Sequence, residues 1–196
     1  MNIVEIENVL PQKYLDTILG MVRTDLIWEY WDSTSYSDRQ DIGLWDKQMV
    51  SVFVNSDINY RYPDYSKYSY FFPLTYILEE KFGLDVVGVM RLKINRTFTC
   101  PTNQEPKAWH ADHPNHNCKT VLIYLNDSDG GTVVSDVQVA DPQIVITDEE
   151  MRGVNSVRTE FKQNKAVLFD SNLAHYGELP KHHKCREVMN IVLECR

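Results

Sequence analysis

The sequence predicts a mainly β protein with flanking helices (α+β), whose second half closes into a double-sheet barrel of the jelly-roll type. Short apolar runs recur from Trp109 onward, with turn residues between them. None of these runs has a helical pattern as strong as the one near the amino terminus. A chain of 196 residues is most simply a single domain with a substantial core.

Two helices are predicted in the first half of the chain. Between residues 11 and 22, apolar side chains recur at i, i+3, i+4 and i+7, and Pro11 suits the first helical position. This helix is expected to pack on the outside of a sheet. A second helix is predicted over residues 73–82, with Pro73 near its start and Gly83 just past its end.

Most of the aromatic residues lie between Trp28 and Phe72, among Asp, Ser and Asn. They could pin irregular loops, or they could form a lid over a substrate, because binding surfaces favour rigid aromatic side chains with polar tips. Residues 48–55 could add a short strand. We therefore interpret residues 1–196 as one domain, with a helical and aromatic-rich support or lid (1–85) and a jelly-roll catalytic core (86–196).

The predicted core follows a simple order along the chain. Its segments are a first strand (86–95), a loop (97–108), a hairpin turn (126–131), a surface loop (148–155), neighbouring strands (157–161 and 166–169) around a turn at 163–164, and a last strand (186–193). The last strand has apolar residues on both faces, which indicates cover on both sides. Its face with Arg186 and Asn190 is predicted to line the interior, where a buried charge needs a partner.

Charge and composition restrict the partners. The net charge of −8 disfavours nucleic acid, whose binding depends on cationic contacts with phosphates. No apolar run is long enough to span a membrane, and the first residues carry acids where a signal peptide carries Lys or Arg. The four cysteines lack close pairs and are predicted to be free thiols. We expect a cytoplasmic protein that acts on a small-molecule or peptidyl substrate.

Three residues have the types and order of a metal site. His110 and Asp112 alternate in an extended segment, so their side chains point the same way, and His175 after a later apolar strand could add a second imidazole. Two histidines and one carboxylate, with open positions opposite them, suit non-heme Fe(II) and oxygen. Arg186 could bind a carboxylate with two parallel hydrogen bonds.

Taken together, these motifs resemble the 2-oxoglutarate- and Fe(II)-dependent oxygenases, particularly the small prolyl-4-hydroxylase-like members of phage and marine-bacterial type. The matching elements are His110-x-Asp112, Tyr124-Leu-Asn-Asp127 with Gly130-Gly-Thr132, Ala166-Val-Leu-Phe-Asp with His175, Arg186-x-x-x-Asn190, and Asn95. Asn164-Lys165 stands where the family usually has Gly-Asp. Arg186 replaces the lysine common in prolyl hydroxylases, which disfavours peptidyl proline as substrate.

The resemblance implies a double-stranded β-helix (cupin-like) barrel in which His110, Asp112 and His175 bind Fe(II). It further implies a dioxygenase that hydroxylates a C–H bond of an unidentified substrate and releases succinate and CO2, with 2-oxoglutarate anchored on Arg186. Tyr124, Asn95 and Asn190 are candidate contacts to this cosubstrate, or else hydrogen-bonded residues of the sheet. The alternatives are a non-catalytic small-acid or metal-binding module, and a metal-dependent hydrolase or isomerase on the same barrel.

Two further histidine groups raise the alternative of structural zinc. His113 and His116 lie near Cys118, and His182 and His183 lie near Cys185. Their irregular spacing departs from known zinc motifs. His182 and His183 are predicted to be solvated loop residues, and His113 could instead support the first metal ligands or contact substrate.

Overall fold

The structure is a computed structural model, and it describes residues 2–31, 47–56, 65–100, 108–142, 144 and 146–196. The described residues form ten strands, two α-helices and one 3-10 helix. In chain order they are β1 (Val4–Ile6), α1 (Gln12–Thr24), β2 (Glu29–Trp31), β3 (Gln48–Asn55), the 3-10 helix (Tyr65–Phe71), α2 (Phe72–Phe82), β4 (Val86–Phe98), β5 (Cys118–Tyr124), β6 (Thr132–Gln138), β7 (Ser156–Thr159), β8 (Ala166–Asp170), β9 (Leu173–Gly177) and β10 (Cys185–Cys195).

Within these ranges the strands build two sheets. The major sheet has the order β1-β8-β5-β10-β4-β3-β2, and the minor sheet has the order β7-β6-β9. All the strand pairings are antiparallel. One apolar cluster contains Tyr124 and Val188 of the major sheet together with Val134 and Leu173 of the minor sheet, so the two sheets face each other across a shared interior. The predicted double-sheet barrel is confirmed.

The two helices cover the outer face of the major sheet. Leu15, Ile18 and Leu78 pack in one buried cluster with Ile94 and Ile191. The alternation of β10 explains this layering, because Met189, Ile191 and Leu193 face the helices while Val188 faces the barrel interior. As predicted, the last strand is covered on both sides. Pro11 caps α1 instead of opening it, and Gly83 ends α2 in the left-handed conformation.

Two predicted local pairings are wrong. Residues 126–131 do turn the chain, but β5 before them belongs to the major sheet and β6 after them to the minor sheet, so they form no hairpin. For the same reason β7 and β8 are not neighbours across the turn at Asn164. Turn residues report that the chain reverses, whereas the choice of partner depends on which interior each strand must cover.

The amino-terminal part supplies strands as well as helices. β1 pairs with β8, and β2 and β3 extend the far edge of the major sheet beside β4. The strand predicted at residues 48–55 is present as β3. The aromatic interpretation of residues 28–72 and the predicted loop at 97–108 fall partly on residues 32–46, 57–64 and 101–107, which lie outside the described residues.

Asn164-Lys165 has a structural role in holding the amino terminus. Asn164 has a φ of 62°, a left-handed conformation that asparagine tolerates. Its side-chain amide accepts a hydrogen bond from the backbone N–H of Leu10 and donates one to the Leu10 carbonyl, both at 2.9 Å. Lys165 forms an ion pair with Glu5 of β1. The two residues therefore hold residues 2–10 against the barrel.

All four cysteines are free, as predicted. No helix within the described parts of the chain is long and apolar enough to cross a membrane.

Candidate metal centre

His110 and His175 are held together by backbone pairing. The His110 N–H donates to the His175 carbonyl at 3.0 Å, and the His175 N–H donates to the His110 carbonyl at 2.9 Å. The two residues therefore form a hydrogen-bonded antiparallel pair at the edge of the minor sheet, with ring centroids 4.6 Å apart. Residues paired directly across an antiparallel ladder point to the same face, and so both imidazoles enter one space.

The protonation of both rings suits metal binding. His110 Nδ1 lies 2.9 Å from the Ala108 carbonyl, and His175 Nδ1 lies 2.9 Å from the Leu173 carbonyl. A carbonyl can only accept a hydrogen bond, so each Nδ1 carries the proton and each Nε2 keeps a lone pair. Burial, and then the neighbouring His175, lower the pKa of His110 to about 3. Burial also lowers the pKa of His175, so both rings are neutral near pH 7.

Asp112 completes the cluster. Its backbone N–H donates to the Ser171 carbonyl at 2.9 Å, which aims the carboxylate towards the histidines. Asp112 Oδ2 lies 3.5 Å from His175 Nε2, and the ligand atoms of the three residues lie within 4.8 Å of one another. The structure thus brings together the three residues predicted to bind metal.

The Asp112 carboxylate is supported by three side chains of the major sheet. Thr120 Oγ1 donates to Oδ2 at 2.9 Å, Asn190 Nδ2 donates to Oδ2 at 3.1 Å, and Arg91 forms an ion pair with Oδ1. Burial by itself would raise the pKa of Asp112, but the adjacent charges, Arg91 first among them, bring it below its ordinary value. The carboxylate is therefore ionised and ready to bind a cation.

Sequence reasoning missed Arg91 and Thr120 in this role. A signal for Arg91 was present, because it lies four residues before Asn95 on a strand and so shares its face. Asn190 was predicted to contact the cosubstrate, but its amide is used on Asp112 and on Arg91 Nη2, which donates to Asn190 Oδ1 at 3.1 Å.

Arg186 lies in a second polar site inside the barrel. It is 7% exposed, Nε donates to the Gly130 carbonyl at 3.0 Å, and Nη2 donates to Thr132 Oγ1 at 2.9 Å. The guanidinium carbon lies 5.1 Å from the centre of the Phe161 ring. Among the described residues Arg186 has no ion-pair partner. A buried guanidinium in this state is available to pair with an anion.

The glycine-rich run explains how Arg186 is held. A Cβ on Gly130 would lie 2.4 Å from the Glu178 carbonyl oxygen, so no larger residue fits there without moving the backbone. This close approach positions the Gly130 carbonyl for the Arg186 Nε. The run 130–132 thus supplies two acceptors for one guanidinium.

Tyr124 and Asn95 lie on strands next to this site. The Tyr124 hydroxyl donates to Thr132 Oγ1 at 2.9 Å, lies 2.7 Å from Thr159 Oγ1, and is fully buried, so it orders the residues that hold Arg186. Burial raises its pKa. Asn95 is opposite Val188 in the β4–β10 pairing, and its buried Oδ1 has no hydrogen-bond partner among the described residues.

Arg186 contacts β9 two residues beyond His175, and therefore lies close to the metal cluster. The Arg186 guanidinium packs on Gly177, whose hypothetical Cβ would lie 2.8 Å from Nη1. Gly177 follows His175 by two residues on β9, and alternate residues of a strand point the same way at a spacing of roughly 7 Å. A short dicarboxylate could therefore reach from the cluster to Arg186.

The alternative zinc groups do not assemble. His113, His116, His182 and His183 are not fully buried. His116 Nδ1 lies 3.0 Å from Asn172 Nδ2, and His183 Nδ1 lies 3.0 Å from the Asp129 carboxylate. Over the described ranges, the group of metal-binding side chains that converges is His110, Asp112 and His175.

Comparisons by sequence and by structure give different results. No protein-family model matches the chain, and no curated protein matches it by sequence. Solved structures do match it. A 2OG-Fe(II) oxygenase family oxidoreductase from Burkholderia pseudomallei is 12% identical with a TM-score of 0.63, over 98% of this chain and 85% of that one.

Two other matches are structures of complexes. The epimerase SnoN, solved with Fe3+, α-ketoglutarate and nogalamycin RO, is 10% identical with a TM-score of 0.61, over 98% of this chain and 78% of the other. A prolyl hydroxylase from Trichoplax adhaerens, in complex with a hypoxia-inducible-factor peptide fragment, is 14% identical with a TM-score of 0.54, over 98% and 83%. This chain therefore has the double-stranded β-helix fold of the 2-oxoglutarate and Fe(II)-dependent oxygenases.

Proposed function

We propose that the protein is a non-heme Fe(II)- and 2-oxoglutarate-dependent oxygenase. The observation that carries this proposal is the arrangement of two sites in one interior. The ligand atoms of His110, Asp112 and His175 lie within 4.8 Å of one another. The buried Arg186 packs on Gly177, two residues beyond His175 on β9. Two neutral imidazoles and one carboxylate leave coordination positions for an acid and for oxygen.

The described residues fit both Fe(II) and 2-oxoglutarate. The free Nε2 atoms of His110 and His175 and the ionised Asp112 would hold Fe(II), which when bound supplies the chemistry that activates oxygen and oxidises 2-oxoglutarate to succinate and CO2. Arg186 would bind the distal carboxylate in the two-pronged geometry of a guanidinium. Thr97, opposite Arg186 in the β4–β10 pairing, has a buried Oγ1 that no described residue pairs with, and it could add a hydrogen bond.

The chain's other contribution is to exclude water. Val134, Phe161, Val167, Phe169 and Val188 surround the interior with apolar surface. Electrostatic interactions strengthen in such an environment, and reactive species are shielded from solvent. We further propose that the reaction is hydroxylation of a C–H bond. The matched structures also include an epimerase and a carbocyclase, so product analysis must decide between hydroxylation and another oxidation.

The first experiment is anaerobic. Metal-free protein is mixed with Fe(II) and 2-oxoglutarate, and the visible metal-to-ligand charge-transfer band is recorded. We expect a band in the native protein, its loss in His175→Ala, and a weaker affinity for 2-oxoglutarate in Arg186→Ala. His182→Ala and Arg152→Ala are matched controls, because both residues are exposed and lie outside the site. A native protein without a band, with zinc bound in stoichiometric amount, would contradict the proposal.

The second experiment admits air to the same complex. Succinate formed in proportion to the bound iron, and absent in His175→Ala, would support turnover. A stable complex that consumes no 2-oxoglutarate would favour a binding module instead.

A further inference from the structure

The inner face of β4 carries a row of polar side chains. Leu92 and Ile94 point outward into the cluster beneath the helices. Their alternates therefore point into the barrel, and the ion pair between Arg91 and Asp112 confirms this direction. The row on this inner face consists of Arg91, Lys93, Asn95 and Thr97.

This row is incompletely satisfied. Arg91 Nε, Asn95 Oδ1 and Thr97 Oγ1 are the buried side-chain polar atoms of the described residues that lack a hydrogen-bond partner. All three belong to one face of one strand. Buried polar atoms are ordinarily paired. Thr97, opposite Arg186, faces the proposed cosubstrate site, whereas Arg91 Nε lies at the other end of the row beside Asp112 and indicates a place there for a second polar ligand.

Lys93 is the cation of the row that has the fewest contacts. The described residues provide its ammonium with no ion pair and no hydrogen bond, and its nearest ring contact is Trp31, whose centre is 5.6 Å from Nζ. Lys93 is opposite Asn190 in the β4–β10 pairing, and Asn190 donates to Asp112, so Lys93 lies next to the metal cluster. Burial, and then the charge of Arg91, lower its pKa to about 7.

Three cations face the interior of the barrel: Arg91, Lys93 and Arg186. Asp112 forms its ion pair with Arg91, and Arg186 is assigned to the cosubstrate carboxylate, whereas Lys93 has no anionic partner among the described residues. Excess positive charge in an apolar interior is costly unless it is paired. The unmatched charge therefore lies at Lys93, two residues from the unpaired Nε of Arg91 on the same face of β4.

We infer that Arg91 and Lys93 form the binding site for an anionic group of the primary substrate, a carboxylate or a phosphate, beside the metal cluster. This inference rests on the proposed function for the identity of the neighbouring ligands. It narrows the substrate class to molecules that carry a carboxylate or a phosphate. Trp31 beside Lys93 would give such an acid an aromatic surface to pack against.

The test uses metal-free protein, so that it does not depend on iron chemistry. Lysines are reductively methylated with 13C-formaldehyde, and the Lys93 resonance is identified by its absence in Lys93→Met. The probes are inorganic phosphate and acetate, with acetamide as the neutral counterpart of acetate. We expect a saturable shift of the Lys93 resonance with at least one anion and none with acetamide. The anion that saturates at the lower concentration identifies the preferred group.

A matched variant tests the same site in the loaded protein. Lys119→Met removes a lysine from β5 that points away from the interior, because its neighbour Thr120 bonds Asp112. In the anaerobic Fe(II) and 2-oxoglutarate complex, the anion that binds should perturb the visible band in native protein and in Lys119→Met. In Lys93→Met its apparent affinity should fall about tenfold or more.

Different results would contradict the anion site and the oxygenase function. A Lys93 resonance that neither anion moves, or that acetamide moves equally, would overturn the anionic-substrate inference even if the iron complex forms. Saturable anion binding at Lys93 in a protein that forms no iron complex would uphold the anion site and overturn the oxygenase.

Discussion

Gly177 offers a direct test of how Arg186 is positioned. A methyl group at this residue would lie 2.8 Å from Nη1 and 3.0 Å from both Cζ and Nη2 of Arg186. Ordinary contacts to a Cβ are longer, so in Gly177→Ala the guanidinium must move by several tenths of an ångström. It cannot do so freely, because Nε and Nη2 are hydrogen-bonded to Gly130 and Thr132 at 3.0 and 2.9 Å.

The size of the effect follows from these contacts. A hydrogen bond to a charged group contributes about 1.5–3 kcal/mol. If the displaced Arg186 loses one such bond to the cosubstrate, the dissociation constant for 2-oxoglutarate should rise roughly 10- to 100-fold. His175 is held by its own pairing with His110, and metal affinity should therefore change little.

The assay is an anaerobic titration of the Fe(II) protein with 2-oxoglutarate, followed at the visible band. Gly88→Ala is the control, since Gly88 also lies in a strand and a Cβ there would meet nothing within 4 Å. The reasoning would be refuted if Gly177→Ala bound 2-oxoglutarate as the control does. It would also be refuted if iron affinity fell as much as cosubstrate affinity, because the two sites would then not be separable.

Three further predictions concern the metal cluster and the amino terminus. Thr120→Val should weaken metal binding about tenfold by removing the 2.9 Å hydrogen bond to Asp112, whereas Thr120→Ser should not; equal metal affinities in a chelator competition would contradict this. In the metal-free protein, the pKa of His110 lies near 3 instead of 6.5, so below pH 6.5 the unfolded chain takes up the proton first. Urea unfolding should show stability falling as the pH drops from 6.5 towards 3, with His110 accounting for about 2 kcal/mol at pH 5 and His175 adding in the same direction; a flat profile would refute it. Asn164→Ala removes two buried hydrogen bonds and places alanine at a left-handed φ of 62°. It should lower the free energy of unfolding by roughly 2–4 kcal/mol in the same assay, whereas a substitution in an exposed loop should not.

The metal cluster could be predicted because its signal is local. His110 and Asp112 alternate in an extended segment, and His175 follows a strand whose apolar run is plain in the sequence. Arg186 could be predicted for a similar reason, because a charged residue on the inner face of a strand covered on both sides needs a partner. Both predictions needed only the two-residue alternation of side chains along a strand.

The features that were missed depend on distant parts of the chain. The turn at 126–131 has the residues of a hairpin, yet the strands on either side must cover different faces of the barrel, and no local pattern shows this. Asn164 binds Leu10, which is 154 residues away. Arg91 and Lys93 resemble solvated strand residues until the fold shows that the face they share points at Asp112.

The two sheets contribute different parts of the metal cluster. His110 and His175 belong to the minor-sheet side through their mutual backbone pairing. Asp112 is instead held by side chains of the major sheet, among them Thr120 and Asn190. A metal ion bound to all three would therefore link the sheets across the interior. Because such an ion binds the folded chain and not a preformed site in the unfolded one, loading should stabilise the packing of one sheet on the other, so that assembly of the site and closure of the barrel are coupled.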